Sequence, residues 1–474
     1  MPRSGVMGGA TLAVLAFLAA GCSGHGANKA GGSEQPKPFV LTYANYGLRP
    51  FEAGVFATEV SKLSHGTIRI AFRNEWRSGQ GNVEAKLIRD VEAGRADMGS
   101  VGSRAWDALG ITSFDALHLP FLIDSYRLED AVLASPLAGS MLEPLDALGL
   151  VGVGILPGEL RRVVGIRRPF LNARDFRGAT FGTTPARAAQ ATLRVLGARP
   201  RTIFIPRSIR QFDGIDFPIT SLEYNRLDVQ ARYITTNLAF WPRPIVVFMN
   251  KKTYARLTPA QRSQVREAAR AAIPGATSFT ESAEQTAVGA LCLRGRTRLV
   301  RARVADLARL RSLVAPILNS VDAQTLRYER SIQQTKTQLS ASPQPALVCP
   351  RTRPVPGAIP DGTYENTMTA ADGHRAHIPA GDPWYKQQFP IRHRLIIRGQ
   401  TFIIFNLYPD GHSETDLEGT YSVFKGKLRF ATTNEKLLPI SWSFDGRTLR
   451  FFDLPFHGGG YYGAELAPVW TKKR

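Results

Sequence analysis

Residues 67–99 read TIRIAFRNEWRSGQGNVEAKLIRDVEAGRADMG. TIRIAF (67–72) alternates with period two, the pattern of a half-buried strand. A glycine-bearing turn follows, then VEAKLIRDVEA with helical apolar spacing, Asn82 placed to cap it and Gly94 where a helix end favours glycine. Strand, turn and helix in that order form part of a β-α-β unit. The alternation continues from about Phe39 to Ile332, which predicts an α/β architecture. PIVVFMN (244–250) reads as a buried strand. After it, Thr258, Pro259 and Gln261 form a capping box ahead of a helix with Val265, Ala268, Ala269 and Ala272 on one face. ADLARLRSLVAPIL continues the helical spacing between Val304 and Gln338.

The pattern breaks at SASPQPALVCPRTRPVPGAIPDG, whose prolines mark a linker over 336–362. Beyond it the period is two. RLIIR, QTFIIFNLY, TYSVF, KLRFAT, ISWSF and TLRFF are short candidate strands, separated by turn signals at PDG (409–411), KGK (425–427) and FDG (444–446). This spacing predicts a small antiparallel β-barrel or sandwich over 363–474, similar to lipocalin-like barrels, with Trp442, Phe451 and Phe452 as core.

The 474 residues include 60 Lys+Arg and 39 Asp+Glu, a net charge of +21, and 43% hydrophobic residues, enough for more than one domain. The excess charge is dispersed without a basic block, the pattern of a solvated arginine-rich surface rather than a nucleic-acid face. At the N-terminus a weakly positive start and a short apolar run end in Leu18-Ala19-Ala20-Gly21-Cys22. The run is too short to span a membrane and fits an export signal over 1–21. LAAGC resembles the bacterial lipobox, which makes Cys22 a lipidation candidate; the alternative is an ordinary cleaved signal beside a bystander cysteine. Residues 22–37 are polar and Gly/Ser-rich, as a flexible tether would be. If Cys22 carries lipid, Cys292 and Cys349 are the remaining pair, expected as a disulfide outside the cytoplasm, with two reduced thiols as the alternative.

No GxSxG elbow, HExxH helix, GxGxxG turn or P-loop occurs, and no Cys/His cluster has metal-ligand spacing. GSVGS (99–103) lacks the elbow spacing, and nothing in the sequence pairs Glu52, Asp97, Asp115 or Asp213. His374, His377, His393, His412 and His457 are scattered through the β region. No cofactor and no metal are expected, and catalysis is the minority reading.

The order of signals carries more. NEWRSGQGNVEAKLIRDVEAGRADMG is followed by FDALHLPFLID, GELRRVVGIRRPF, DFRGATFG, FDGIDFPITSLEYNRLDVQARYITT and the YARLTPAQRSQVREAA helix. In that order the chain resembles the substrate-binding proteins of TRAP transporters, the DctP-like family, over about residues 38–335. The resemblance implies a two-lobed type II periplasmic-binding-protein fold, capture of a small organic solute in the interlobe cleft, and delivery to a TRAP-type membrane permease; a lipid on Cys22 agrees with this by anchoring the protein, expected as a monomer, to the outer face of the cell membrane. It implies no nucleic-acid partner. The family motif "D-L-x-G-x-K-x-R" ends in an arginine that grips a ligand carboxylate; here it falls on Gly178-Ala179-Thr180-Phe181-Gly182, and both cationic positions are neutral. Either another cation serves, with Arg161 and Arg162 the candidates, or the solute is not a simple acid. Asn45, Tyr46, Trp76, Thr184, Asp213, Asp216, Asn237 and Trp241 are the other candidate ligand-binding residues, against core packing for the rings and capping for Asp and Asn. A non-transport sensor lipoprotein and a secreted enzyme using the β region stay open beside the receptor reading.

Overall fold

The computed structural model describes residues 38–47, 51–203, 208–340, 342–349, 358–369, 372, 390–407, 413–424, 426–432, 440–452, 466 and 468–473. The export signal, the tether, Cys22, the PDG turn, Lys425 of KGK, much of the proline-rich linker, and His374, His377, His412 and His457 lie outside the described residues.

Strands β1 (Phe39–Ala44), β2 (Ile68–Arg73), β3 (Met98–Gly102) and β4 (Leu150–Leu156) precede β5 (Arg162–Gly165), β6 (Thr180–Thr183), β7 (Arg199–Thr202), β8 (Gly214–Phe217) and β9 (Tyr233–Ala239). β10 (Ile245–Asn250) and β11 (Arg298–Val300) complete this part. They form a five-stranded sheet of order β2-β1-β3-β10-β4 and a six-stranded sheet of order β11-β9-β5-β8-β6-β7, one per lobe. The chain crosses between lobes three times, from β4 to β5, from β9 back to β10, and from β10 through the helices that follow it to β11. β10 returns antiparallel to β3 and β4, as a strand re-entering from the other lobe must when it runs against its neighbours. All six β10 residues are buried, which accounts for the unbroken apolar run of PIVVFMN.

The helix opened by Thr258 carries the capping box read from sequence. It then runs from Pro259 to Arg294, through Pro274, because the proline sits on the exposed face while Ile273, Ala276 and Thr277 beside it are buried. It packs on helix Phe51–Leu63 and β4 of the first lobe and on helix Ile219–Tyr224 of the second. Helix Val83–Glu92 forms where expected, but Asn82 does not cap it: its φ of 55° is left-handed and its side chain makes no cap hydrogen bond. The turn before the helix demands that backbone, and the asparagine meets it better than most residues do.

After residue 358 the remaining strands are β12 (Gly362–Met368), β13 (Ile391–Arg398), β14 (Thr401–Leu407), β15 (Ser413–Phe424), β16 (Lys427–Thr432), β17 (Ser441–Phe444), β18 (Thr448–Phe452) and β19 (Trp470–Lys472). Their order, β16-β15-β14-β13-β12-β19-β18-β17, is nearly closed into a barrel by the Leu428–Ile440 bridge. Alternation decides the inside: on β13, His393, Leu395 and Ile397 are buried while Arg392, Arg394 and Arg398 are exposed. Tyr364, Phe402, Tyr421, Phe430, Phe451 and Trp470 fill the interior.

The barrel lies on the end of the long helix through β14 and β15. At this seam Arg294, its side chain 2% exposed, pairs with Glu223 (2.9 Å), Asp228 (3.1 Å) and Glu418 of β15 (3.1 Å). Arg226 bonds Glu418 at 2.8 Å and Glu223 at 3.2 Å. Cys292, in the last turn of the helix, is joined to Cys349 by a disulfide, with Cα atoms 5.8 Å apart.

Candidate functional site

Beyond the carboxyl end of a parallel strand the ladder stops and side chains turn into open space, which is where ligands of open α/β sheets bind. β1 leads into Asn45 and Tyr46, and β3 into Ser103 and Arg104. In the second lobe β6 leads into Thr184, and β8 carries Asp216. The first two crossings add Glu159 and Arg161 on one side and Trp241 and Arg243 on the other. Helices Phe51–Leu63 and Val83–Glu92 bring Glu52 and Glu84 in their first turns.

These groups act on one another. His118 is pulled down to about 3 by burial and by the nearby Arg104 and Arg161, so it is a neutral imidazole sharing a 2.8 Å hydrogen bond with the Ser103 hydroxyl. Burial opposes the charge of Arg243, yet Glu52, Tyr46, Glu159 and Glu84 hold it above the ordinary guanidinium value. Tyr46 is raised by burial and then by Glu84. Glu159 is pushed up to about 7 by burial and by Glu284, while its carboxyl binds the Ile219 and Thr220 amides and the Thr220 hydroxyl.

Arg161 enters the cleft but is already paired. Its Nε meets Asp216 Oδ2 at 2.7 Å, its Nη2 donates to the Asp216 carbonyl at 2.5 Å, and Trp241 Nε1 donates to the same carboxylate oxygen at 3.0 Å. Arg162 points the other way along β5, to Glu284 of the long helix at 3.3 Å and the Thr236 carbonyl at 3.0 Å. Gly182 does not face the cleft: a Cβ there would lie 2.8 Å from Ile215 Cγ2 and 3.3 Å from the Phe212 ring, inside the second lobe's core. Thr183, Thr184 and Asp216 lie together, because Gly182 pairs with Ile215 in register.

The remaining candidates divide. Tyr46 joins the charged cluster, and Asn45 holds the exit of β1 by bonding the Gly47 carbonyl and Asn74. Trp76 instead donates to Asp90, which also binds Arg77 and Arg95. Asp213 receives the Thr180 amide at 2.8 Å, at the far end of β6. Asn237 bonds both backbone groups of Ala302 at 2.9 Å. These last three are structural ties.

Sequence reasoning missed Arg104 and Arg243. Arg104 Nη2 bonds Glu84 Oε2 at 2.7 Å, while Nε and Nη1 are buried without a partner; Arg243 Nη2 reaches Glu52 at 3.2 Å and its Nε is likewise unpartnered. The Thr183 and Thr184 hydroxyls, Asp216 Oδ1 and His118 Nδ1 share that condition. The one available signal was position: Arg104 stands two residues past the end of a buried, glycine-bearing strand. Nearby, Asp107 and Asp115 form the carboxyl pair that the sequence could not assemble. Asp115 is pushed up to about 8 by burial and by Asp107, and Arg187 of the second lobe bonds both residues. Among the described residues no group of three His, Cys, Asp or Glu side chains could hold a metal ion.

Residues 51–324 match the family model described as bacterial extracellular solute-binding protein, family 7. An uncharacterized Salmonella typhimurium protein, YiiZ, is 25% identical over 224 residues, 45% of this chain and 66% of that relative, just under two thirds of its length. Among solved structures, the sugar acid binding protein DctPAm of Advenella mimigardefordensis in complex with galactonate is similar at TM-score 0.56 and 21% identity, over 64% of this chain and 99% of that one. A TRAP periplasmic solute-binding protein of Xanthobacter autotrophicus with bound β-D-galacturonate gives TM-score 0.55 and 18% identity, over 62% and 99%. DctP7 of Bordetella pertussis, a receptor binding pyroglutamic acid, gives 0.52 and 19%, over 61% and 99%. At these identities the structural likeness establishes the fold, and the family match ends before the barrel begins.

Proposed function

The chain belongs to family 7 of the bacterial extracellular solute-binding proteins, and from that membership we propose that it captures a small organic acid in its interlobe cleft and delivers it to a TRAP-type membrane permease. The observation that carries the ligand class is the two unpartnered donors of Arg104, Nε and Nη1. A buried donor without an acceptor costs free energy, and a guanidinium N–H is best matched by an anionic oxygen; the two lie on different edges of the guanidinium, so each offers one charge-assisted hydrogen bond. Arg243 Nε adds a third donor. The Thr183 and Thr184 hydroxyls, Asp216 Oδ1 and His118 Nδ1 supply further groups suited to ligand hydroxyls. Arg104 on the first lobe then supplies the grip that the arginine of the second-lobe motif supplies in relatives, while Gly182, which faces the second lobe's core, takes no part. The structural neighbours crystallised with galactonate, galacturonate and pyroglutamic acid support an acid ligand.

No chemistry on the solute is part of this reading. The Ser103–His118 pair has no carboxylate on His118 Nδ1 to orient it as a base. Attachment through Cys22 would keep the receptor near its permease, and the Cys292–Cys349 disulfide suits an oxidising, extracytoplasmic setting. Among the described residues no helix is long and apolar enough to cross a membrane.

The test is a melting-temperature screen of the mature protein with hydroxylated, dicarboxylic and cyclic acids, followed by calorimetry of the hits. Acids raise the melting temperature by mass action, and Arg104→Gln weakens the best hit at least about tenfold, roughly 1.4 kcal/mol. If no acid shifts melting at millimolar concentration, or if Arg104→Gln binds as the wild type does, the reading fails.

A further inference from the structure

A cavity of about 300 Å³ opens on the second lobe, lined by Ile166, Arg167, Arg232, Tyr233, Arg296 and Arg298. It lies at the beginning of β9, whereas the cleft lies beyond that strand's other end, a strand length of roughly 20 Å away. Nothing in the receptor reading uses it.

The backbone fixes four guanidinium-bearing residues around one space. Tyr233 pairs with Gly165 on one side and with Arg298 on the other; the Arg232 amide bonds the Gly165 carbonyl at 3.0 Å, and the Arg298 amide bonds the Arg232 carbonyl at 2.8 Å. Their side chains can rotate, but their origins cannot separate. Counter-charge is scarce. Arg167 is 3.7 Å from Asp213 and bonds the Arg210 carbonyl. Arg296 feels Asp228, which Arg294 already binds. Arg232 and Arg298 have no carboxylate within salt-bridge distance among the described residues. Like charges gathered around a concave surface raise the local anion concentration.

We propose that this cavity is a second ligand site, which takes a phosphate-type oxyanion. Guanidinium groups bind phosphate oxygens two at a time, the Tyr233 hydroxyl adds a donor, and the volume exceeds what a single bare anion needs. The phosphate could be carried by a soluble compound or by an anionic headgroup at the membrane surface.

The experiment uses the full chain and Arg232→Gln/Arg298→Gln, neither residue belonging to the cleft. Melting is followed in chloride, inorganic phosphate and pyrophosphate at matched ionic strength, and flotation is measured with phosphatidylglycerol and phosphatidylcholine vesicles. Phosphate or pyrophosphate should stabilise the wild type saturably beyond chloride, with at least a tenfold weaker response in the double variant. Flotation with phosphatidylglycerol alone, lost in the variant, supports the same site with a headgroup as source. Equal responses to phosphate and chloride, together with vesicle binding indifferent to the two arginines, overturn it; so does capture of polyglutamate without any phosphate response. The variant should melt in chloride at or above the wild type, since repulsion is relieved, and a clear drop would show that the arginines serve the fold. Binding of the organic acid in the cleft is measured alongside and is unchanged, so failure here leaves the receptor reading standing.

Discussion

Two clusters of buried charge in this molecule look alike in composition and differ in where they sit. At the seam between barrel and second lobe, Arg294 and Arg226 meet Glu223, Asp228 and Glu418, every group within ion-pair distance of another. In the cleft, Arg104, Arg161 and Arg243 meet Glu84, Asp216 and Glu52, but donors on Arg104 and Arg243 and acceptors on Asp216 are left over. The seam also has buried atoms without a hydrogen-bond partner, on Asp228 and Arg294, so what separates the two clusters is place: the seam lies between β15 and the second lobe, whereas the cleft's spare groups stand beyond the carboxyl ends of strands, where ligands of open α/β sheets bind.

The largest effect should follow from breaking the seam. Arg294→Met takes away the ion-pair partner of Asp228 and leaves Glu223 and Glu418 with Arg226 alone, and should cost about 3–5 kcal/mol, the usual consequence of removing one member of a buried ion cluster. A fall in the urea midpoint would show it, with affinity for the acid within about twofold of wild type; a loss below about 1 kcal/mol would mean the seam is not a fastening. Arg104→Gln should reverse the pattern, changing acid affinity strongly and stability little.

The seam also titrates. Glu223 is pushed up to about 10, first by burial and then by its hydrogen bond and repulsion with Glu418, so the folded seam keeps a proton that the unfolded chain loses near its ordinary carboxyl value. A raised carboxyl of this kind contributes stability fully present below the unfolded value and lost as pH rises through the folded one. Melting temperature should therefore fall between about pH 5 and pH 10, and Glu418→Gln should flatten that slope. An unchanged slope in the variant would assign the pH dependence elsewhere.

The smallest predicted change refines the cleft. A Cβ at Gly102 would fall 1.8 Å from Arg104 Nη1, so Gly102→Ala must displace the guanidinium, the mobile end of a flexible side chain, at little cost in stability. Acid affinity should drop a few-fold while melting hardly moves. Equal affinity would show that Arg104 does not need its present position to hold the ligand.

Much of the fold was legible because it is local. Period two gave β13 and β16 their faces, and Thr258-Pro259-Gln261 started a helix where the capping box predicts one. Two local signals are overruled from a distance, of which only the cap at Asn82 was read from the sequence above. Pro274 should end a helix, yet burial of its neighbours against both lobes carries the helix on for another 20 residues to Arg294. Asn82 should cap, yet the preceding turn takes its backbone for another purpose. The site was less legible. Tyr46, Arg161, Thr184, Asp216 and Trp241 were all named and do converge, whereas Trp76, Arg162, Asp213 and Asn237 are spent on Asp90, Glu284, Thr180 and Ala302. Arg162 and Glu284 stand 122 positions apart, and nothing within either segment announces the pair.

Sequence by itself determined the order of strands and helices, the family to which that order belongs, and the neutrality of Gly182, because periodicity, caps and motif order are properties of neighbouring residues. Only the tertiary structure decided which arginine is free. A guanidinium's availability depends on whether a carboxylate from another element has reached it first: Asp216 reaches Arg161, Glu284 reaches Arg162, and Glu84 takes Nη2 of Arg104 and leaves its Nε and Nη1 without a partner.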